Sequence, residues 1–158
     1  ADQLANALLT FKGVQRRFSY QVKNGDFVFI DDYAHHPSEI DAVHQAVTEM
    51  HQGKRVLTVF QPHLFSRTRD FADDFAGSLS KFDSVILLDI YPAREIPLEG
   101  IDSQWLLAKI DNPNKKLLKK SDLATEIKKQ APDILVTMGA GDIGLEVPKI
   151  KKELGYAN

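Results

Sequence analysis

The sequence contains no cysteine among its 158 residues, so disulfide bonds and catalysis by a thiol are excluded. The net charge of −2 leaves no basic excess of the kind that binds nucleic acid or an anionic membrane surface. No apolar run approaches the length that spans a bilayer, and no signal peptide opens the chain. These absences predict no nucleic-acid partner, no membrane partner and a cytoplasmic setting.

The pattern of apolar residues predicts a hairpin followed by alternating strands and helices. After a helix over 3–11, Asn24-Gly25 is typical of a tight turn, so strands over 18–22 and 26–30 should pair antiparallel. Strands are then expected over 55–60, 84–90, 115–119 and 133–138, and helices over 38–51, 66–79, 103–110, 123–130 and 147–154. This order predicts an α/β, Rossmann-like three-layer fold, in which a mostly parallel sheet carries an antiparallel N-terminal hairpin strand. Residues 1–158 contain no internal repeat or linker and should form a single domain.

Local signals also predict how two of the helices begin and what they bury. Ser38 and Asp41 can form a capping box, and the apolar stripe of that helix extends to Met50. Ser66 can cap the next helix, whose buried face should include Phe71.

Polar residues follow four of the predicted strands at the points where the strands end. They lie in residues 32–36, 61–69, 91–95 and 139–142. Parallel strands end on one edge of a sheet, and open α/β sheets bind ligands at that edge. Although any single loop after a strand is often polar, the four segments together predict a functional site.

The densest of these segments is Asp31-Asp32-Tyr33-Ala34-His35-His36-Pro37. Asp31, Asp32, His35 and His36 have the residue types of metal ligands, although adjacent histidines in a turn seldom point at one ion. Asp32 is equally suited to accept hydrogen bonds from a ribose. Asp31 is interpreted as a structural carboxylate at the strand end.

Basic residues near the start of a predicted helix indicate an anionic ligand. Arg67 and Arg69 oppose the helix dipole there, and a guanidinium pairs well with carboxylate or phosphate. The interpretation favours a functional role for Arg67 and leaves Arg69 open between a site residue and a solvent-facing arginine. Arg16 and Arg17 are similarly open from the local pattern.

A glycine-rich segment near the end of the chain matches the pattern G-x-G-x-x-G. Gly139-Ala140-Gly141-Asp142-Ile143-Gly144 follows the last predicted strand, whereas the dinucleotide-binding fingerprint follows the first. The segment is therefore interpreted as a tight turn or a close backbone approach to a ligand. No G-x-x-x-x-G-K-[ST] P-loop occurs in the chain.

Taken together, these motifs resemble the C-terminal domain of the Mur ligases. The resemblance rests on Gly13-Val14-Gln15-Arg16-Arg17-Phe18, Asp32-Tyr33-Ala34-His35-His36-Pro37, Phe60-Gln61-Pro62-His63, Ser66-Arg67-Thr68-Arg69 and the glycine-rich segment. These motifs occur in the family's order and span nearly the whole chain. Asp-Tyr-Ala-His-x-Pro suits several Mur ligases, whereas His36 and residues 61–63 point toward members that add alanine.

The resemblance implies an ATP-dependent, amide-forming ligase of peptidoglycan synthesis. Its substrates would be UDP-N-acetylmuramate, L-alanine and ATP, with the UDP-sugar carboxylate phosphorylated before the amine attacks it. It also implies Mg²⁺, bound mainly by a central P-loop domain of the same polypeptide, and an N-terminal UDP-sugar domain. Because the chain resembles the third domain alone, it is expected to be inactive by itself.

The resemblance further implies roles for individual residues. Arg17 and Asp32 would bind ATP, with Asp32 at the ribose and Arg17 at the phosphates. His35 and Arg67 would be catalytic, and the residues facing alanine and the acyl phosphate would be Tyr33, His35, His36, His63 and Arg67. No metal ligand is expected in this domain. The chain departs from the family at Leu64, where a basic residue often stands.

Two alternatives come from other functional classes. One is a metal-dependent phosphoesterase that uses Asp32, His35 and His36, and the other is a non-catalytic nucleotide-binding module. Bound manganese or zinc, together with hydrolysis of simple phosphate esters, would support the first.

Overall fold

The computed structural model describes residues 16–157, in which six strands form one sheet with helices packed on both faces. The strands are β1 (Ser19–Lys23), β2 (Val28–Asp32), β3 (Val56–Phe60), β4 (Ser84–Leu87), β5 (Lys115–Leu117) and β6 (Ile134–Met138). The helices are α1 (Pro37–Met50), α2 (Phe65–Asp70), α3 (Ala72–Leu79), α4 (Ser103–Lys109), α5 (Leu123–Gln130) and α6 (Glu146–Glu153). Two 3₁₀ turns cover Lys120–Asp122 and Asp142–Leu145. The helix expected over 3–11 lies outside the described residues.

The strand order is β1-β2-β6-β3-β4-β5, with β1 antiparallel to β2 and the other neighbours parallel. The predicted fold class, including the antiparallel hairpin strand, is confirmed. The side chain of Asn24 accepts the backbone N–H groups of Asp26 and Phe27, both at 2.8 Å. The hairpin therefore closes through four residues, 24–27, which is a longer connection than the tight turn expected at Asn24-Gly25.

Each face of the sheet has its own hydrophobic core. Residues of α1, α3 and α4 pack on one face with alternate strand residues such as Ile30 and Val136. Residues of α5 and α6 pack on the other face with the intervening strand residues, such as Phe29 and Leu135. Strand β6 lies between β2 and β3, but the helix that follows β6 packs on the opposite face from the helices that follow those two strands. The direction of the connections from strand to helix therefore reverses at β6. Such a reversal opens a crevice at the carboxyl ends of the strands.

Three local expectations about helices are wrong. The helix expected to follow Ser66 is two helices separated at Phe71, whose side chain is 42% exposed. Met50 is 63% exposed, because α1 ends there beyond its buried turns. Helix α1 begins at Pro37, whose fixed φ suits the first helical position, so Ser38 lies inside the helix and does not cap it.

No helix within residues 16–157 combines the length and the apolar composition that crossing a membrane requires.

Candidate functional site

The segments that follow β2, β3 and β4 meet at the carboxyl edge of the sheet, as the sequence predicted. Ring centroids lie 5.2 Å apart for Tyr33 and His35, 6.2 Å for His35 and His63, and 5.7 Å for His63 and Tyr91. His36 adjoins this row, its centroid 5.0 Å from that of His35. Four of the predicted substrate residues thus belong to one aromatic row, which Tyr91 extends.

His35 is held with one ring nitrogen facing the protein. Its Nδ1 lies 3.0 Å from the carbonyl oxygen of Tyr33, and a carbonyl can only accept, so Nδ1 carries the proton. In neutral His35 the Nε2 atom is therefore unprotonated and can take up a proton. A carboxylate oxygen of Glu39 lies 3.5 Å from Nδ1. Glu39 also accepts the backbone N–H of His36 at 3.0 Å.

Arg67 and His63 form the second polar pair of the site. The Nη1 atom of Arg67 lies 3.1 Å from His63 Nδ1, and because arginine only donates, Nδ1 of His63 accepts. Partial burial, followed by the positive charges of Arg67 and His35, lowers the pKa of His63. The pKa of His36 is lowered by the same causes in the same order.

The guanidinium of Arg67 pairs with no carboxylate of residues 16–157. By contrast, Arg69 is exposed and bonds to its neighbour Asp70 at 2.8 Å. Of the two arginines that the sequence singled out, Arg67 lies in the cluster and Arg69 is the solvent-facing one.

The two adjacent aspartates have different surroundings. Asp31 is 3% exposed and accepts two bonds from Arg16, at 2.7 and 3.1 Å, and one from Thr137 at 2.7 Å. The structural role predicted for Asp31 is confirmed. Arg16 also donates to the carbonyl of Gly139 at 2.8 Å, whereas Arg17 is exposed.

Asp32 is only partly buried and accepts backbone N–H groups from Phe18 at 2.7 Å and Ala34 at 2.8 Å. Burial raises the pKa of Asp32, and the charges of Asp31 and Glu39 add to the effect, while the two backbone bonds oppose it. A carboxylate has about four acceptor positions, so Asp32 retains capacity for a ligand. Its assignment to ribose stays a prediction.

A metal centre is not formed by the candidate ligands. Within the described part of the chain, no three side chains of histidine, aspartate or glutamate converge into a group that could hold an ion. The metal-dependent phosphoesterase thus lacks the ligand set that this hypothesis needs from Asp32, His35 and His36.

The glycine-rich turn packs tightly against the protein itself. Gly139 has a φ of 147°, and a Cβ there would lie 2.9 Å from the carbonyl oxygen of Gln61. A Cβ at Gly141 would lie 2.6 Å from Cγ of Tyr91, and one at Gly144 would lie 3.0 Å from Nε of Arg16. The prediction left open a tight turn or a close approach to a ligand, and the structure shows a close approach to the protein itself, at Gln61, Tyr91 and Arg16.

Two acidic residues escaped the sequence reasoning as individual site residues. Glu39 contacts His35, and its position three residues after His36 is a capping signal that could have revealed it. Glu95 accepts the backbone N–H of Ser66 at 3.1 Å and also its hydroxyl, and no local pattern connects residues so far apart.

The protein has a Rossmann-like fold, with a basic, histidine-rich cluster where the strand connections reverse direction. The chain belongs to the Mur ligase family, because the family profile described as Mur ligase, glutamate ligase domain matches residues 16–141.

Curated relatives show which members of the Mur ligase family this chain is similar to. The chain is 65% identical over 153 residues to the UDP-N-acetylmuramate–L-alanine ligase of Flavobacterium johnsoniae, covering 97% of the chain and 34% of the relative. It is 66% identical over 151 residues to the enzyme of that name from Christiangramia forsetii, covering 96% and 33%. The chain thus spans about a third of the length of the curated relatives it matches.

A solved structure supports the fold. The UDP-N-acetylmuramate–alanine ligase of Thermotoga maritima superposes with a TM-score of 0.68 at 24% identity, over 97% of this chain and 34% of that one.

Proposed function

We propose that this chain is the C-terminal domain of a bacterial, cytoplasmic, ATP-dependent ligase that joins L-alanine to UDP-N-acetylmuramate in peptidoglycan synthesis. The observation that carries the proposal is the 65% identity to the Flavobacterium johnsoniae ligase, which extends over 97% of the chain. The site supports it, since a guanidinium that pairs with no carboxylate of residues 16–157 and a proton-accepting imidazole both lie at the ligand-binding edge of the sheet.

In the proposed reaction, the terminal phosphoryl group of ATP is transferred to a carboxylate oxygen of the UDP-sugar, which forms an acyl phosphate and releases ADP. The nitrogen of L-alanine then forms a bond to the acyl carbon, the carbon–oxygen bond to phosphate breaks, and the amine loses a proton. His35 is the proposed acceptor of that proton, because its Nε2 is unprotonated in the neutral ring. The carboxylate of Glu39 lies 3.5 Å from Nδ1, on the side of the ring that faces the protein.

Arg67 supplies positive charge to the reacting groups. Its guanidinium is held by His63 alone among the described side chains, so its remaining N–H groups can pair with the alanine carboxylate or the leaving phosphate. Tyr33 and His36 extend the same row of rings and are proposed to contact the incoming amino acid.

Two residues are proposed for ATP. Asp32 has unused acceptor capacity for a ribose hydroxyl, and the exposed guanidinium of Arg17 can pair with phosphate. The resemblance to the Mur ligases assigns Mg²⁺ mainly to the central domain, and no step here depends on it. The N-terminal and central domains of the same polypeptide are the proposed partners.

The test is phosphate release by the full-length protein. With ATP and UDP-N-acetylmuramate present, release should depend on an added amino acid and be faster with L-alanine than with glycine or D-glutamate. It should be absent from the isolated 158-residue chain. Phosphate release without amino-acid dependence would contradict the proposed reaction, and ATP binding without any turnover would favour the nucleotide-binding module. Alanine-dependent turnover by the isolated chain would contradict the division into domains.

A further inference from the structure

Beyond the sheet, the loop after β3 and the loop after β4 continue to pair. The N–H of Tyr91 donates to the carbonyl of Pro62 at 2.8 Å, and the N–H of Leu64 donates to the carbonyl of Tyr91 at 2.9 Å. His63 and Tyr91 form an isolated parallel bridge, and their rings stack with an interplanar angle of 19°. The loop after β4 therefore determines the path of the backbone that leads into α2.

Helix α2 begins without a capping side chain of its own. Leu64, its N-cap residue, has no hydrogen-bonding side chain, and its backbone lies at φ 72° and ψ 134°. A leucine rarely adopts this conformation, which the surrounding structure must therefore maintain. The first N–H groups of the helix need an acceptor from elsewhere.

Glu95 provides that acceptor from the other loop. Its carboxylate accepts the backbone N–H of Ser66 at 3.1 Å and the Ser66 hydroxyl with its second oxygen. These bonds, together with one from the backbone of Phe65, lower the pKa of Glu95 and keep it ionised. Because α2 is only six residues long, Arg67 and Arg69 lie in its last turn, where cations suit the helix dipole, so the expectation that they oppose the dipole at the helix start is wrong.

We propose that Glu95 is a positioning residue for Arg67. Arg67 follows Ser66 directly, so the bonds that hold Ser66 also fix the backbone from which the guanidinium extends. Apart from its bond to His63, that guanidinium has no partner among the described side chains to direct it. The inference rests on the proposed function only for the statement that Arg67 meets the incoming amino acid or its acyl phosphate.

The experiment is a double-mutant cycle in the full-length ligase. The variants are Glu95→Ala, Arg67→Ala and the double substitution, with Glu95→Gln as the conservative variant, because Gln keeps one acceptor oxygen. Glu99→Ala is the matched control, since Glu99 is an exposed carboxylate four positions further along the same loop. Steady-state constants are measured for L-alanine and for ATP, and thermal unfolding checks that each variant folds.

Losing a helix cap should lower kcat/KM for L-alanine by roughly three- to thirtyfold, with a smaller loss in Glu95→Gln. The KM for ATP should change little, and Glu99→Ala should match the wild type. In the Arg67→Ala background, adding Glu95→Ala should cause little further loss, because both substitutions remove the same placed group. Equal fold-losses in the two backgrounds, or parallel increases in the KM for both substrates, would overturn the proposal.

A second readout separates this inference from the proposed function. The Nε–H resonance of Arg67, observed by NMR without substrate, should shift or broaden in Glu95→Ala and stay unchanged in Glu99→Ala. If the wild type uses a different amino acid, the proposed function fails, while the NMR comparison and a cycle run with that amino acid still decide the role of Glu95. An unchanged Arg67 resonance in Glu95→Ala would overturn the proposed positioning role of Glu95.

Discussion

Replacing Asp31 with asparagine should destabilise the fold more than any other conservative change at the carboxyl edge of the sheet. The Asp31 side chain is 4% exposed and that of Arg16 is 14% exposed, and their two bonds join the β1 side of the domain to β2. Thr137 of β6 donates to the same carboxylate. Asparagine keeps the size of the side chain but removes its charge and turns one acceptor into a donor facing Arg16.

The expected loss of unfolding free energy follows from the unpaired charge of Arg16 that the substitution leaves behind. Breaking a buried ion pair by removing one charge costs about 3–5 kcal/mol, because the other charge stays buried without compensation. For a domain of this size, such a loss corresponds to a melting temperature lower by roughly 10 °C.

Denaturant and thermal unfolding of the wild type and the variant measure this loss. Asp70→Asn is the matched control, because it removes the charge of an Arg–Asp pair whose side chains are 51% and 54% exposed. Solvent screens such a pair, so the midpoint of Asp70→Asn should not move measurably. Equal losses in the two variants would refute the reasoning that burial gives the Arg16–Asp31 pair its importance.

Three further predictions concern the same edge of the sheet. Gly141→Ala should lower the unfolding free energy by about 1–3 kcal/mol, because its Cβ would overlap Tyr91. In the control Gly77→Ala, the Cβ enters open space, so the unfolding free energy should rise by about 0.5–1 kcal/mol. A loss of stability in both variants would contradict this explanation. Because the fold lowers the pKa of His63, protonation favours the unfolded chain, so stability measured by denaturant unfolding should fall as the pH drops below about 6.5, and less steeply in His63→Gln. In the full-length enzyme, Asp32→Asn should raise the KM for ATP roughly ten- to a hundredfold while lowering the melting temperature less than Asp31→Asn. Equal ATP dependence in the two variants would show that Asp32 is not the carboxylate that binds ATP.

Features governed by local periodicity could be predicted from the sequence. The hairpin, the buried strands and the edge strand β5 were located to within a few residues, because alternation and turn residues act over short distances. The meeting of His35, His63 and Tyr91 followed from the parallel topology, since the strands end on one edge.

Features governed by contacts between distant residues could not be predicted in this way. Ser66 matches a helix cap in sequence, yet its N–H and hydroxyl are bound by Glu95 on another loop. Phe71 fits the apolar spacing of a longer helix, but the chain turns at that residue and leaves its ring partly exposed beside His36. The pattern of the glycine-rich turn predicts a tight turn or a close approach to a ligand, whereas the fold places Tyr91 and Arg16 of the protein itself against it.

The cluster around Arg67 is proposed to act on the incoming amino acid. The most direct test compares Arg67→Ala with Arg69→Ala in the full-length ligase, because Arg69 lies on the same helix but is exposed and paired with Asp70. Arg67→Ala should raise the KM for L-alanine and lower kcat while the KM for ATP stays near the wild-type value, and Arg69→Ala should change none of the three. Wild-type alanine kinetics in Arg67→Ala, or equal effects of the two substitutions, would contradict the claim.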